Sequence, residues 1–448
     1  MANVVLLMSD EHNPFYSSVY GHRRLITPNM ERLAGRGTVF ENAYCPSPLC
    51  LPCRSAFMAG RRVHQIQVYN NCSVNLDERH RSYGAVLDEQ GVHSVHIGKV
   101  HAYASPNDLG FSEMHLGTEW PRPGDTFIGR QPLTVRVGAA ERASGYGPRK
   151  GAHDEDLQVV DRAIEWLERT APALGRAWTL AVNIVAPHFP HITSRELWDL
   201  YPDGGDLPEV GMDCESARHP YAADLRKHFE AEKFTEEQVR GLRRGYLAGI
   251  TFVDRQLGRL MDVLERSGFA DDTVLLYSTD HGEMLGKFGM WWKCSLYEDS
   301  VRVPMIVAGP GFDRGTRTRT PVDLHDLQAS IFKSTAATRP ADWIGIPLQD
   351  IPRNDPNRVV FAEYHGHGTR SGGYLVRKGD WKLLWYAEAP HQLFNLIEDP
   401  RELDNRYLRE AGKAAELEAE LRKICDPELE NRRAHDFEDG QIRSLRAM

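Results

Sequence analysis

The residues best suited to chemistry begin with a cysteine at the start of a predicted helix. A proline-containing loop precedes Cys50–Arg54, and Gly60 stands where a glycine commonly ends a helix. This pattern predicts a short helix that begins near Cys50. Unpaired N–H groups and the helix dipole favour negative charge at that end. The position therefore suits a nucleophile or the anionic group of an ester.

The same residues support three interpretations. In the first, Cys50 lies in a turn beneath a core helix and is inert. In the second, Cys50 and Cys53 form a Cys-x-x-Cys redox pair with Pro52 before the second cysteine, as in thioredoxin-like proteins. In the third, Cys50 is the source of a catalytic nucleophile. The stretch alone does not decide among them.

Two further groups of polar side chains directly follow apolar runs. Asp10 and Glu11 follow the first run, and Asp280 and His281 follow a later one. Carboxylates and an imidazole suit a divalent ion such as Ca²⁺, Mg²⁺ or Mn²⁺ better than a metal that prefers thiolates. Either aspartate alone would equally well cap a helix. Found together in a chain that also contains Cys50, they predict a metal site.

Four cationic or titratable side chains form a second set: Lys99, His101, His188 and Lys293. Taken singly, each is better explained as a surface lysine or as a core histidine with its hydrogen bonds satisfied. Beside a metal they suit a tetrahedral anion, because two ammonium groups neutralise oxygens that carry charge in the transition state. A histidine near the bridging oxygen can protonate a leaving group.

The elements that must position these side chains alternate between strand and helix. Continuous apolar runs predict buried parallel strands at Val4–Met8, Ser94–Ile97, Trp178–Val185 and Thr273–Ser278. Helical segments come between them, among them Thr27–Leu33, 154–170 and 236–267. The alternation predicts an α/β fold with a doubly wound, mostly parallel sheet flanked by helices. Ligands of such sheets gather at the carboxyl ends of the strands, so the polar groups should converge there.

The pattern changes near residue 342. Short runs joined by Gly and polar turns predict a small antiparallel sheet from Val359–Glu363, Gly373–Arg377, Trp381–Trp385 and Gln392–Leu396. An amphipathic helix is expected over Ala411–Ile424, followed by a polar tail over Asp426–Met448. We therefore expect a catalytic domain at 1–341 and a C-terminal subdomain at 342–448. Arginines in the tail would allow it to form a homo-oligomer contact, and a solvated tail is the alternative.

The amino-acid composition limits the classes of partner that we expect. The 448-residue chain has a net charge of −9, which gives no reason to expect nucleic acid or an anionic membrane. An anion site must therefore be built locally. The first residues lack the basic segment and long apolar run of a secretory signal, and seven cysteines in a chain of this length indicate reduced thiols. These features predict a cytoplasmic protein.

A family resemblance joins these pieces. Cys50, Pro52 and Arg54 fill a Cys-x-Pro-x-Arg pattern that Gly60-Arg61 closes. The other matching segments, in family order, are Leu6–Asp10, Thr27–Asn29, Gly98–His101, Pro187–Pro190, Ser278–Glu283, Val303-Pro304 and Asn395–Pro400. The chain resembles the type I, formylglycine-dependent sulfatases of the alkaline phosphatase superfamily from Asn3 to about Asn405. This resemblance argues strongly against the redox interpretation.

The resemblance implies a nucleophile and a metal. Cys50 would be oxidised to formylglycine by a formylglycine-generating enzyme, and its hydrate would attack sulfur with one hydroxyl and displace the alcohol. Deprotonation of the other hydroxyl would expel sulfate and restore the aldehyde. The implied ligands of one divalent ion, Ca²⁺ before Mg²⁺ or Mn²⁺, are Asp10, Glu11, Cys50, Asp280 and His281. Glu11 stands where many relatives have Asp.

The remaining roles are implied in the same way. Arg54 would orient the hydrate, and His101 would lie beside it as a base. Lys99 and Lys293 would bind sulfate oxygens, and His188 would assist the leaving group. Asn71 matches an asparagine that touches the sulfate in choline-sulfatase-like members. Val100 departs from the family, because tryptophan is common there.

The expected activity is hydrolysis of a small sulfate monoester to an alcohol and sulfate, as in arylsulfatases and choline sulfatases. The first alternative is a phosphonate monoester or phosphate diester hydrolase that uses the same site. The second is a non-catalytic or thiol-redox protein in which Cys50 stays a thiol. Trp291 and Trp292 are either a wall for the substrate or part of the core.

Overall fold

The fold is built on the buried apolar runs that predict strands. The computed structural model describes residues 1–105, 108–118, 122–202 and 205–448. Within them, the strands are β1 Asn3–Asp10, β2 Gly37–Phe40, β3 Ala43–Tyr44, β4 His93–Lys99, β5 Glu113–Thr118, β6 Tyr146–Pro148, β7 Trp178–Pro187, β8 His191–Thr193, β9 Thr273–Thr279, β10 Arg302–Val303, β11 Met305–Ala308, β12 Thr316–Thr318, β13 Val322–Asp323, β14 Val359–Tyr364, β15 Gly373–Lys378, β16 Trp381–Tyr386 and β17 Gln392–Asn395.

Helices occupy most of the intervening segments. They are α1 Pro28–Arg36, α2 Cys50–Ala59, α3 Val63–Ile66, α4 Tyr83–Glu89, α5 Ala139–Arg142, α6 Asp154–Arg169, α7 Arg195–Asp199, α8 Glu215–Arg218, α9 Pro220–His228, α10 Glu236–Arg266, α11 Glu298–Val301, α12 Leu324–Thr335, α13 Ala411–Ile424 and α14 Pro427–Ala447. Among the described residues, none of these helices is both long and apolar enough for a bilayer crossing.

The large sheet confirms the predicted fold class. Its strand order is β12-β2-β11-β9-β1-β7-β4-β5. The five strands from β9 to β5 run parallel, whereas β11 is antiparallel to both of its neighbours. Consequently β1 lies between β9 and β7, and the carboxyl ends of all three meet at one edge.

Helices cover both faces of this sheet. On one face, α1 and α6 pack against α10, and α6 and α10 contact β7. On the other face, α2 packs against α4 and α12, and α12 contacts β1. The predicted helix at 236–267 corresponds to α10, whose N-terminus is capped by Thr235 Oγ1, which accepts from Gln238 N at 3.2 Å. The sheet is therefore doubly wound, as the sequence predicts.

The C-terminal sheet is antiparallel in the order β14-β15-β16-β17, as expected. One face packs on α13 through an apolar cluster that includes Trp385 and Leu417, and the other joins the main core through Leu375 and Leu384. The prediction of a polar tail over Asp426–Met448 was wrong, because most of this segment forms the helix α14. Asp426 caps this helix by accepting from Leu429 N at 2.9 Å. The division at 341/342 and the oligomer contact stay predictions.

Candidate active site

Four strand ends bring the predicted polar residues together. Asp10 ends β1, Lys99 ends β4, His188 follows β7 and Asp280 follows β9. Because β9, β1, β7 and β4 are consecutive in the sheet, these side chains meet at its carboxyl edge. The Lys99 ammonium reaches the Asp10 carboxylate and forms a fully buried ion pair with it.

Four predicted residues form a cluster that fits a metal ion. Asp10, Cys50, Asp280 and His281 each offer a ligand atom, and these atoms lie within 4.8 Å of one another. The His281 Nε2 atom is 3.7 Å from both Asp10 Oδ1 and Asp280 Oδ1, and 3.2 Å from Cys50 Sγ. Two carboxylates and an imidazole suit a hard or borderline divalent ion.

Unsatisfied atoms support the same conclusion. Asp10 Oδ1 is buried, and within the described part of the chain it accepts no hydrogen bond. Burial of a carboxylate oxygen without a partner is costly, and a cation would remove that cost. Asp280, by contrast, accepts from Glu11 N at 3.2 Å and His281 N at 3.0 Å, so its Oδ1 is oriented by the backbone. The residues present therefore fit a divalent cation.

His281 is prepared to act as a neutral ligand. Its Nδ1 lies 3.1 Å from Gly282 O, so a proton on Nδ1 would be donated to that carbonyl and leave Nε2 as the acceptor facing Cys50. Burial lowers the pKa of His281 to about 3, and the positive charges of Lys293 and Lys99 reinforce this shift. The imidazole is therefore unprotonated at neutral pH.

Arg54 organises the carboxylates. Its Nε donates to Asp280 Oδ2 at 2.7 Å, and its Nη2 lies 3.6 Å from Asp10 Oδ2. Its Nη1 donates to Asn183 Oδ1 at 3.2 Å. Burial raises the pKa of Asp280, but Arg54, His281 and Lys99 outweigh it, so the net shift is downward. The contacts tie the α2 helix to β1, β7 and β9.

Glu11, Lys293 and His188 form a second charged group beside the cluster. Lys293 Nζ donates to Glu11 Oε2 at 3.0 Å and lies 2.5 Å from His188 Nε2. Glu11 joins Asp10 and His188 in a separate set of candidate ligands, apart from Cys50, Asp280 and His281. Burial lowers the pKa of Lys293, yet the hydrogen bond to Glu11 and the nearby carboxylates of Glu11 and Asp280 help to raise it overall. Lys293 is therefore a cation that donates toward His188.

Backbone strain at Glu11 fixes this second group. Glu11 has φ 69°, a conformation that few non-glycine residues adopt. Tyr246 of α10 holds it there, because its hydroxyl donates to Glu11 O at 2.6 Å and accepts from Asn13 N at 2.7 Å. Lys293 is positioned by its own loop, in which Glu283 Oε1 accepts from Leu285 N and Trp292 N.

The predicted helix start at Cys50 is confirmed. α2 begins at this residue, and Gly60 ends the helix with φ 61°. Asn71 accepts a hydrogen bond from Leu51 N at 3.0 Å, so this loop residue satisfies one helix N-terminal donor. Cys53 lies on the buried side, where its thiol donates to Asp280 O at 2.8 Å. Burial raises the pKa of Cys50 to about 12, which opposes a thiolate and hence a thiol-redox pair.

A cavity of about 280 Å³ opens above Cys50. Its lining includes four predicted site residues besides Cys50, namely Asn71, His101, His188 and Lys293. Trp292 also lines it, whereas Trp291 is buried in the core beside Phe234. Of the two alternatives for these tryptophans, a substrate wall therefore fits Trp292 and a core position fits Trp291. Arg54, Lys99 and the carboxylates lie beneath this lining.

Sequence reasoning missed several other residues that line this cavity. Asp125, Arg136, Arg142, Phe229 and His367 line it. They come from irregular segments, the short helix α5, the end of α9 and the loop after β14, where no motif or hydrophobic period marks them. The sequence gives one indication of this region: Phe189 directly follows the predicted site residue His188, and it also lines the cavity.

Comparison with known protein families gives two matches. The family described as "Sulfatase" matches residues 2–336. The family described as "N-sulphoglucosamine sulphohydrolase, C-terminal" matches residues 286–430. Among curated proteins, choline-sulfatase of Rhizobium meliloti (strain 1021) is 31% identical over 437 residues, which cover 90% of this chain and 82% of that protein. Arylsulfatase K of Danio rerio is 28% identical, covering 98% and 87%.

Solved structures give the same fold. The phosphonate monoester hydrolase of Agrobacterium radiobacter aligns with a TM-score of 0.76 at 21% identity, covering 95% of each chain. A protein solved in complex with its substrate D-glucosamine-2-N,6-O-disulfate aligns with a TM-score of 0.76 at 20% identity, covering 95% of this chain and 99% of that one. At this identity the similarity concerns the architecture alone.

Proposed function

This chain belongs to the sulfatase family, a family of sulfuric ester hydrolases within the alkaline phosphatase superfamily, and we propose that it hydrolyses a sulfate monoester to an alcohol and inorganic sulfate. The observation that carries the proposal is the position of Cys50. It opens a buried helix, lies 3.2 Å from His281 Nε2 and lines the cavity that would receive the ester.

The nucleophile is formylglycine made from Cys50 by a formylglycine-generating enzyme. Its hydrated aldehyde supplies the hydroxyl that attacks sulfur. Asp10, Asp280 and His281 hold a divalent cation, with Ca²⁺ as the first candidate because oxygen ligands dominate; when bound, the cation supplies positive charge beside the reacting group. Lys293 engages only one oxygen of the Glu11 carboxylate, Oε2, so Glu11 is a further candidate ligand through Oε1.

Side chains around Cys50 bind the sulfate group. Lys293 and Asn71 line the cavity and provide donors for sulfate oxygens, and Lys99 approaches from beneath through its contact with Asp10. Burial lowers the pKa of Lys99 to about 7 against the opposing effect of Asp280, so a bound sulfate would favour its charged form. His101 lines the same cavity and is the base for the second hydroxyl. Arg54 holds the Asp280 carboxylate in place and thereby helps to orient the hydrate.

The leaving alcohol needs a proton. His188 Nδ1 lies 2.6 Å from Phe189 O, so a proton on Nδ1 would be donated to that carbonyl, and Nε2 would then accept from Lys293. Burial and the charge of Lys293 hold the pKa of His188 well below its usual value. The proton therefore originates on the Lys293 ammonium and reaches the bridging oxygen through His188 Nε2.

A phosphonate monoester or phosphate diester hydrolase is the second candidate, favoured by the architecture shared with phosphonate monoester hydrolases. The test measures kcat/KM of the matured, Ca²⁺-loaded enzyme for 4-nitrophenyl sulfate and 4-nitrophenyl phenylphosphonate. We expect the sulfate to be preferred. A large preference for the phosphonate would replace the proposal with the alternative.

The thiol-redox alternative is tested by a matched pair of variants. Cys50→Ser should abolish sulfate hydrolysis, because the first residue of α2 would then carry no aldehyde. Cys53→Ser should retain most activity, since a hydroxyl can also donate to Asp280 O. Comparable effects of the two substitutions would favour a function that requires both thiols. Circular dichroism and the unfolding midpoint of each variant serve as folding controls.

A further inference from the structure

Two guanidinium groups line the cavity that opens above Cys50. Arg136 and Arg142 both line it in addition to Asn71, His101, His188 and Lys293, and the Arg142 guanidinium packs on the Phe189 ring whose centre also lies 5.1 Å from Lys293 Nζ. The chain as a whole carries a net charge of −9, so positive charge here is a local feature. No part of the reaction at Cys50 uses these two side chains. Because they line the cavity and have no role in the metal cluster, they are available to the rest of the substrate.

Arg142 is a cation without an anionic partner. Its guanidinium carbon lies 3.6 Å from the centre of the Phe189 ring and 5.7 Å from that of Trp292. Across the residues that the structure describes, no carboxylate forms an ion pair with it, and its side chain makes no hydrogen bond. Burial lowers its pKa to about 10, so it remains charged at neutral pH. The aromatic faces hold the guanidinium in place and leave its N–H groups available.

Arg136 is only partly satisfied. It pairs with Asp125 Oδ2, and its guanidinium carbon lies 5.0 Å from the Phe127 ring centre. Its Nε is buried and has no hydrogen-bond partner within the described ranges. Asp125 is also 3.6 Å from His367 Nδ1, but burial lowers the pKa of His367 to about 3, so that ring adds no charge. Of the two guanidinium groups, only Arg136 is therefore paired with a carboxylate among the described residues.

From this arrangement we infer that the substrate carries a second anionic group on its alcohol, and that Arg142 with Arg136 binds it. The inference rests on the proposed function. The group is a carboxylate or a second sulfate on a ring, because the cavity walls at Phe127, Phe189, Phe229 and Trp292 are aromatic. Planar guanidinium donors match either anion. A cationic alcohol such as choline would instead meet like charge and is disfavoured.

Paired esters test the inference with the matured, Ca²⁺-loaded enzyme. 4-Carboxyphenyl sulfate and 4-carbamoylphenyl sulfate differ by the charge of one substituent. The carbamoyl group withdraws electrons more strongly and makes the better leaving group, so chemistry alone favours the amide. We expect kcat/KM to be roughly ten- to hundredfold higher for the carboxylate, the range of charge-assisted hydrogen bonds. Phenyl 1,4-disulfate replaces the carboxylate in a third arm, and choline sulfate should be the poorest substrate.

The variant Arg142→Gln identifies the residue responsible. We expect the ratio of kcat/KM for carboxylate over amide to fall toward one, whereas a purely structural role would lower both values alike. Arg169→Gln, an exposed position on α6, is the matched control and should leave the ratio unchanged. A higher kcat/KM for the disulfate than for the carboxylate would identify a second sulfate as the preferred anion.

The outcomes separate the inference from the proposed function. Rapid hydrolysis of all esters with a wild-type ratio near one, or a ratio that Arg142→Gln leaves intact, overturns the inference and keeps the sulfatase proposal. A preference for choline sulfate does the same. Failure to hydrolyse any of the sulfate esters overturns the proposed function and the inference with it.

Discussion

His188 is the single residue whose role is easiest to isolate. We expect His188→Gln to lower kcat by roughly 10²–10³-fold for an ester with a poor leaving group, the usual contribution of general acid catalysis. Glutamine keeps a polar atom near Lys293 but cannot carry the proton. For 4-nitrophenyl sulfate, whose phenolate leaves without help, the loss should be much smaller. Rates measured over a series of substituted phenyl sulfates check this, and an equal loss across the series would contradict the role.

Motifs located the reacting residues because their chemistry depends on sequence-local features. Asp10 and Asp280 each end an apolar strand, and Cys50 starts a helix, so the parallel sheet necessarily brings them together. The same reasoning could not reach Arg136 or Arg142. Arg136 lies in an irregular segment, and Arg142 lies in the four-residue helix α5, which is too short to show a hydrophobic period.

At the level of elements, α14 supports the loop that carries Asn71. Gln441 of this helix is fully buried, and its Nε2 donates to Cys72 O at 3.1 Å and to Val74 O at 2.8 Å. Its Oε1 accepts from Asn70 Nδ2 at 2.8 Å. The helix thus holds the Asn70 side chain and the backbone that follows Asn71, and Asn71 in turn caps α2.

We expect Gln441→Ala to raise KM for a sulfate ester several-fold and to lower the free energy of unfolding by about 1–3 kcal/mol, because buried carbonyls lose their donors. Steady-state kinetics and urea denaturation measure the two effects. Arg443→Ala, on an exposed position of the same helix, controls for helix propensity. An unchanged KM together with unchanged stability would show that α14 does not support the site.

The sequence predicted α13 and failed to predict α14 for a physical reason. α13 buries Leu417 and Leu421 at helical spacing, so hydrophobic periodicity reveals it. The buried face of α14 instead consists mainly of polar side chains, including Asn431, Glu438 and Gln441. Specific hydrogen bonds compensate for the burial of these polar side chains. A search for hydrophobic periodicity does not detect such a helix face.

For the whole molecule, α14 introduces a pH dependence of stability. Burial raises the pKa of Glu438 from 4.5 to about 7, while its Oε1 accepts from Arg130 N at 3.0 Å. The folded state therefore binds a proton more tightly than the unfolded chain, and stability falls as pH rises from about 4.5 to about 7.

Glu438→Gln should remove this contribution while keeping an acceptor for Arg130 N. We expect the free energy of unfolding of the wild type to fall by roughly 1–3 kcal/mol relative to the variant between about pH 4.5 and pH 8. Urea denaturation of both proteins across this range checks the difference. Parallel pH profiles would contradict the raised pKa.

Metal removal should also change global stability. Asp10 and Asp280 are buried within one cluster, so a bound cation stabilises only the folded state. After chelation, we expect added Ca²⁺ to raise the Tm of the wild type in a concentration-dependent manner. Asp280→Asn should lose most of this response, whereas Asp271→Asn, at an exposed position, should keep it. An identical rise in all three proteins would contradict the proposed ligands.

The most direct measurement is mass spectrometry of the tryptic peptide Gly37–Arg54, which contains Cys45, Cys50 and Cys53. The protein is produced together with a formylglycine-generating enzyme, alkylated, and assayed for aryl sulfate hydrolysis in the same sample. We expect an aldehyde at Cys50, alkylation of only the other two cysteines, and activity proportional to the converted fraction. Three alkylated cysteines in a preparation that hydrolyses the ester would contradict the assignment of Cys50 as the source of the nucleophile.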